Sequence, residues 1–442
     1  MSRPLRIRPA RHLAPLAALL FLGAAPMFSS GFQIMTQGAR AMGMGLAFSG
    51  VASDPSAIFY NPAGLGWQKH FEGQIGASAL WRTEGEFDGS NPFPGAGYHA
   101  EYEDETFLLP TLYAVLPMTE SVNIGFGSFA QYGLGVGWDD ADNFAGRFLA
   151  QSADLQSIDL NPVVSWQISP QFAVAGGFSY RMAKLELKQS QAAINPFTQS
   201  AVDIAHVELE SGDLFDNGGW GWNAGAMIKP LPYLSLGVAY RSSITVDFDG
   251  EATFDQVLSG NPVFDAIVAG QLPPSPQPLT TSIEFPASWN IGAAIALGEA
   301  LTLALEADWT EWSSFQSLNV LFSDEPDLSF ERITAWEDSW AYRAGLEWRH
   351  GAIAVRAGYY QDQTPQPIAD ASPLLADNDR DAYTIGFGYH TPKWGVDIGD
   401  VYIVFDDIDT RGVTSNDGPG DNFEGVYKET ANVFGLNFRF SW

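Results

Sequence analysis

The stretch Trp340-Ala341-Tyr342-Arg343-Ala344-Gly345-Leu346-Glu347-Trp348-Arg349 decides the fold. Trp340, Tyr342, Ala344, Leu346 and Trp348 share one parity, and Arg343, Gly345, Glu347 and Arg349 share the other. Successive side chains of a strand point to opposite faces, so this period of two makes a strand with one greasy, aromatic-ended face and one charged face. The pattern recurs outward in both directions. Tyr383, Ile385, Phe387 and Tyr389 alternate with Thr384, Gly386, Gly388 and His390, and Leu234, Leu236, Val238 and Tyr240 alternate with Ser235, Gly237, Ala239 and Arg241. Ile75, Ala77, Ala79 and Trp81 oppose Gln74, Ser78 and Arg82 near the start, and Phe434, Leu436, Phe438, Phe440 and Trp442 close the chain in the same rhythm.

Alternation alone also suits a soluble sandwich, whose apolar face is its core. Loop length separates the two. Short turns fall at Pro117-Met118-Thr119-Glu120, Ser169-Pro170-Gln171, Pro230-Leu231-Pro232, Gly298-Glu299, His350-Gly351 and Thr391-Pro392-Lys393. The connections between them are long: residues 87–104, 134–152, 191–217, 249–278, 320–338, 362–379 and 409–426. Short turns on one side and long loops on the other are the arrangement of a membrane barrel. Strands starting near residues 69, 105, 121, 153, 171, 219, 233, 279, 300, 339, 352, 380, 394 and 427 then make an all-β chain, a transmembrane antiparallel β-barrel of about 14 strands over 69–442.

Composition agrees. After the first 30 residues no run of ~18 apolar residues occurs, so helices cannot carry the chain across a bilayer, and a closed barrel is the remaining solution. With 52 acidic against 22 basic residues and a formal charge of −30, nucleic acid is excluded as a partner. Cysteine is absent, which removes disulfides and thiolate metal ligands. Arg3, Arg6, Arg8 and Arg11, the apolar run Leu13 to Ala25 and the small pair Ser29-Ser30 define a signal peptide over residues 1–30, cleaved near Ser30.

Between leader and first strand lies Gly31-Phe32-Gln33-Ile34-Met35-Thr36-Gln37-Gly38-Ala39-Arg40-Ala41-Met42-Gly43-Met44-Gly45, continuing through Ser53-Asp54-Pro55 and Phe59-Tyr60-Asn61-Pro62-Ala63-Gly64. Residues 31–68 are small and Gly-rich, a plug for a lumen that fourteen strands leave wide. This segment resembles the N-terminal hatch of the FadL-type outer-membrane channels, the OMPP1/FadL/TodX family. Phe129-Ala130-Gln131-Tyr132-Gly133-Leu134, Phe144-Ala145-Gly146-Arg147, Glu284-Phe285-Pro286-Ala287-Ser288-Trp289 and Asp308-Trp309-Thr310-Glu311-Trp312-Ser313 carry the resemblance further, as do Arg356-Ala357-Gly358-Tyr359 and Asp377-Asn378-Asp379-Arg380. It implies an outer-membrane channel for passive uptake of hydrophobic compounds, long-chain fatty acids first, captured by extracellular loops and released past the hatch. It also implies that Phe32 and Asn61-Pro62-Ala63 belong to the hatch, that Tyr132 and Gly133 lie near a kinked third strand with a lateral opening, and that the chain works as a monomer. The C-terminal strand resembles the signal read by the outer-membrane assembly machinery.

Side chains of the long loops nominate ligand contacts. Phe144, Phe148 and, within 251–272, Phe254 and Phe264 offer apolar surface, the latter two in short segments with helical spacing that also carry Val257, Leu258, Ile267 and Val268. Arg147 is the cation chosen to meet a carboxylate, since guanidinium pairs it bidentately; Arg181, Arg241, Arg343, Arg356 and Arg439 sit on the polar face, where a lumen salt-bridge ladder is their ordinary use. No catalytic constellation emerges: His-Glu-x-x-His is missing, Gly177-Phe178-Ser179-Tyr180 is followed by Arg181, and Gly43-Met44-Gly45 has no third glycine. Asp407-Ile408-Asp409 starts like a calcium loop, but Arg411 and Gly418 stand where ligands belong, so no cofactor or metal is expected. Asp139, Asp140, Asp142, Asp377, Asp379 and Asp381 read as solvated loop faces, with a lesser reading in which they share divalent cations with lipopolysaccharide. The rivals to fatty-acid uptake are an aromatic-hydrocarbon importer and an adhesive barrel with a shut lumen.

Overall fold

In the computed structural model of the protein, residues 31–413 and 423–442 are described; the leader assigned to residues 1–30 and Gly418 lie outside them. Fourteen strands form the wall: β1 (Glu72–Gly89), β2 (Thr106–Pro117), β3 (Val122–Phe129), β4 (Ser152–Ser169), β5 (Phe172–Asn195), β6 (Gly218–Leu231), β7 (Leu234–Arg241), β8 (Ser288–Leu297), β9 (Leu301–Thr310), β10 (Ser339–His350), β11 (Ile353–Asp362), β12 (Arg380–His390), β13 (Trp394–Phe405) and β14 (Gly425–Ser441). Each pairs antiparallel with its neighbour in the wall, and β14 closes on β1, with Ile75 opposite Phe438 and Ala79 opposite Phe434. Closure leaves no edge strand in the wall, in a medium that offers no hydrogen bonds.

Outward parity meets lipid. Ile75, Val164, Trp166, Leu346, Ile385 and Leu436 are exposed, and aromatic girdles mark both ends of this band. Near the long loops Trp222, Tyr240 and Trp289 line up with centroids 4.9 and 4.6 Å apart; near the short turns Phe71 and Trp442 stack at 4.5 Å. Inward parity carries paired charge. Arg343 bonds Asp308 at 2.5 Å, Arg356 reaches Glu347 and Asp397 at 2.6 and 2.8 Å, and Arg181 grips Asp159. A buried ion pair is tolerated when each charge has its partner, and here each has one or two.

Two expectations about the 249–278 region are corrected. The strand placed at 279 is not a wall strand: Gln277–Phe285 pairs with Ile244–Gln256 above the barrel, and the wall resumes at Ser288 after Pro286, which cannot donate to a ladder. Of the two helical segments read in 251–272, the first is strand, because residues 251–256 pair with 205–210; only Pro262–Ala269 is helical, capped by Asn261. Likewise the loop at 191–217 contains a strand, Ser200–Glu210, laid along the projecting half of β5.

Residues 31–68 fold inside the barrel as two four-residue helices, Ala39–Met42 and Ala57–Tyr60, and a 3-10 turn, Pro62–Trp67. Small residues let this segment touch the wall backbone to backbone. Gly45 has φ +61°, and a Cβ there would stand 2.6 Å from the Ala344 carbonyl oxygen, while a Cβ at Gly345 would overlap the Met44 carbonyl. The Gly43-Met44-Gly45 run is thus explained by close approach rather than by nucleotide binding.

Candidate functional site

β3 stops at Phe129, and the chain rejoins the wall only at Gly133–Gly137, which pairs with the upper part of β4. β2 is therefore paired to β3 from Leu112 to Pro117 but not over Thr106–Thr111, where β1 alone supports it. The gap in the wall is filled from inside. Ile34 N–H donates to the Gln131 carbonyl at 2.7 Å, Gly133 N–H donates to the Phe32 carbonyl at 3.0 Å, and Gln33 bridges Tyr132 in antiparallel sense. Ile34, Leu109 and Ala130 pack together behind it. The first residues of the plug thus act as a short surrogate strand at the kink.

Phe32 is held by rings. Its centroid lies 4.8 Å from Trp312, 5.4 Å from Phe315, 5.5 Å from Trp336, 5.9 Å from Tyr132 and 6.0 Å from Phe285. Arg181, fixed on Asp159, stacks 4.4 Å over Tyr132 and 4.7 Å over Phe285, and the Tyr132 hydroxyl donates to the Pro286 carbonyl. Beside Phe32 opens an apolar cavity of about 70 Å³, walled chiefly by Leu134, Leu155, Ile283, Phe315, Leu318 and Trp336. Ligand pockets usually run from about 300 Å³, so a long-chain guest must displace loop side chains or the Phe32 ring. Two charged residues also line it, Arg332 and Asp370. Arg332 donates to the Ser372 hydroxyl at 2.5 Å. Burial lowers its pKa and raises that of Asp370, since each is taken from water without full compensation.

Polar bonds fix the lower plug to the wall. Arg40 grips Glu347 with two bonds of 2.9 and 3.0 Å and also holds Asp54 and Ser53. Glu306 accepts from Ser49 N–H and hydroxyl, Thr384 from Gly45 N–H, and Asn437 from Ala39 N–H. Asn61 accepts from Ala63 N–H and donates to the Ser49 and Ala226 carbonyls, and Arg241 donates to the Ile58 and Phe59 carbonyls. Pro62 starts the 3-10 turn and Ala63 accepts from Ser165. Beneath, at the short-turn end, a recess of about 560 Å³ touches Arg40, Val51, Ser53, Lys229, Glu347 and Arg349.

The loop residues selected from the sequence do not converge. Arg147 is locked bidentately on Asp203 at 2.8 and 2.9 Å and stacks on Phe148 at 4.3 Å. Phe144 is buried in a stack on Trp138, 4.1 Å away, within the same apolar cluster as Phe32. Phe254 packs in a separate cluster with Leu209, Leu279 and Phe322, and Phe264 is buried under its helix while Val263 and Ile267 stay exposed. Among the residues around the cavity that sequence reading left out are Arg332, Trp336, Asp370 and Phe315. Phe315 and Trp336 carried a signal, shared with Trp312: they are aromatics in loops, where no lipid belt accounts for them; Arg332 and Asp370 carried none.

The model of outer membrane transport proteins named OMPP1/FadL/TodX matches residues 20–442. The chain belongs to that family. A 47 kDa outer membrane protein of Pasteurella multocida is 25% identical over 96% of this chain and 97% of its own, and a long-chain fatty acid transport protein of Escherichia coli O6:H1 is 24% identical over 97% and 98%. The fold matches that of a Pseudomonas aeruginosa FadL homologue (TM-score 0.77, 20% identity, 93% of this chain and 99% of that one) and the Pseudomonas putida toluene transporter TodX (0.70, 16%, 92% and 98%). This member of the OMPP1/FadL/TodX family is an outer-membrane protein that transports hydrophobic compounds.

Proposed function

We propose that this OMPP1/FadL/TodX chain takes up long-chain fatty acids passively, as a monomeric channel without a chemical step. The observation that carries the reading is Arg332, a guanidinium on the wall of a mostly apolar cavity, hydrogen-bonded to a hydroxyl, with the Asp370 carboxylate near enough to act on its charge but not hydrogen-bonded to it. A hydrocarbon needs no such cation, whereas a carboxylate pairs with it. In this scheme residues 31–68 are the hatch. Phe144, Phe148, Phe254, Phe264 and the Arg147–Asp203 pair shape the outer loops that receive ligand from the lipopolysaccharide layer; Phe32, Tyr132 and Gly133 form the gate at the kink; and Asn61, Pro62 and Ala63 anchor the hatch. The last strand, ending on Trp442, is the recognition element for barrel assembly.

A second reading has its own support. The rings around Phe32 would suit a small aromatic guest, and a structural neighbour is a toluene transporter. Radiolabelled oleate and toluene uptake by a Gram-negative host lacking its own fatty-acid channel separates the two. Oleate uptake that drops at least severalfold in Arg332→Gln supports the fatty-acid channel. Toluene uptake alone, unchanged by that substitution, replaces it with hydrocarbon import.

A further inference from the structure

The polar groups lining the Phe32 cavity divide into engaged and idle ones. Gln366 donates to the Asp370 and Leu375 carbonyls, both at 3.2 Å, and accepts from Asp377 N–H at 2.8 Å; Thr334 donates to the Phe315 carbonyl at 2.7 Å. Against these, the indole N–H of Trp336, a residue only 2% exposed, has no acceptor among the described residues, and Asp370 Oδ2 is buried with no donor. Arg332 gives one N–H to Ser372, and a guanidinium has five. Idle donors and an idle acceptor therefore sit together on one small apolar cavity. Each buried group left unmatched costs about 1–3 kcal/mol, which a ligand recovers only if it brings the missing partner.

We propose that the head-group end of this cavity selects hydrophobic molecules whose polar end both donates and accepts a hydrogen bond, a carboxylic acid or a primary alcohol, over esters, which only accept, and hydrocarbons, which do neither. Arg332 and the Trp336 N–H donate to the head-group oxygen, and Asp370 accepts its O–H. A fatty acid arriving beside Asp370 shares one proton with it, as two adjacent carboxyl groups do when both cannot ionise. The inference rests on the uptake reading above and narrows it to a class of head group.

The test is displacement of radiolabelled oleate from the purified full chain in lipid nanodiscs by oleyl alcohol, methyl oleate and 1-octadecene. In the wild type the alcohol should displace at concentrations about tenfold below the ester, because a site built to receive a donor rejects an analogue without one. Asp370→Asn supplies an amide N–H of its own, so the gap should narrow to within about threefold. Trp336→Phe keeps the ring and removes one donor, and should weaken alcohol and ester alike. Equal displacement by alcohol and ester in the wild type, a gap that survives Asp370→Asn, or octadecene matching the alcohol overturns the proposal while leaving oleate uptake standing. A wild type that binds no oleate removes the uptake reading and this inference together. Asp370 lies in a half-exposed loop, and retention of heat-resistant barrel mobility on gels confirms that its variant is folded.

Discussion

The tip and the body of the plug are held by different physics. Residues 31–34 are clasped by rings around Phe32, by two strand-like backbone bonds at the kink and by Gly31 N–H on Asp377; residues 36–65 are pinned by Ser78 on Thr36, Tyr113 on Gln37, Arg40 on Glu347, Ser49 on Glu306, Gly45 on Thr384 and the Asn61 bonds. Charged bonds are directional, and each buried partner left behind is costly, so the body has one well-defined seat. Ring contacts are broad and exchangeable: a hydrophobic guest can replace Phe32 among Trp312, Phe315 and Trp336 and recover the same apolar burial. The tip is therefore where ligand binding and plug position compete, and the kink is coupled to it because Gln131 and Gly133 lose their bonds when the tip leaves.

The comparison is broken most severely at Arg40. Arg40→Ala leaves Glu347 with Arg349 and Arg356, but it takes the cation from buried Asp54 and strips the body of the two bonds that its own guanidinium makes to the wall, at a cost of about 3–5 kcal/mol to plug docking. The expected outcome is sensitivity to vancomycin in cells carrying the variant, with barrel mobility on gels unchanged. If the cells stay resistant, the body is not seated by charge. Phe32→Ala should cost the tip a comparable amount, about 3–5 kcal/mol, yet with a different readout: no vancomycin leak, and an altered oleate uptake rate. A vancomycin leak from Phe32→Ala would erase the distinction between tip and body. Asn61→Ala removes three bonds of one side chain, about 1–3 kcal/mol, and should change transport without unfolding the wall, since Asn61 takes no part in the ladder.

How much of this was legible follows from where each feature is encoded. The wall was readable because its signal is a period of two repeated in every strand, as in Trp340 to Trp348, and because lengths of turn and loop alternate. The seating of the plug was half readable: Gly43 and Gly45 announce close approach, but nothing in Arg40 names Glu347, 307 positions away. The cavity was hidden because its walls come from 32, 134, 283, 332 and 370, joined only by the closure of the barrel. Arg147 was preferred to the wall arginines because it follows Phe144 in a loop, yet it bonds Asp203 on a neighbouring loop strand, a partner that no local spacing reveals, and Arg332 was not weighed at all. The strand at 279 misled for a related reason. Alternation continues through Gln277–Phe285 because that strand, too, has one face buried, here against loop residues rather than exposed to lipid.

The smallest change isolates a single bond of the body. Thr384 lies on the inner face of β12 and accepts from Gly45 N–H at 3.0 Å. Thr384→Val keeps the shape and β-branching and removes one of two acceptors, leaving the Gly45 N–H with only its 3.1 Å bond to the Met42 carbonyl in a seam too tight for water, because a Cβ at Gly358 would already overlap Gly45. The expected loss is about 0.5–1.5 kcal/mol in plug docking, too little to open the lumen. It should appear as faster amide exchange at Gly45 and Met44, with exchange at Phe32 to Ile34 unchanged. Faster exchange at both places would mean that tip and body move as one piece, and that ligand entering beside Phe32 must lift the whole plug.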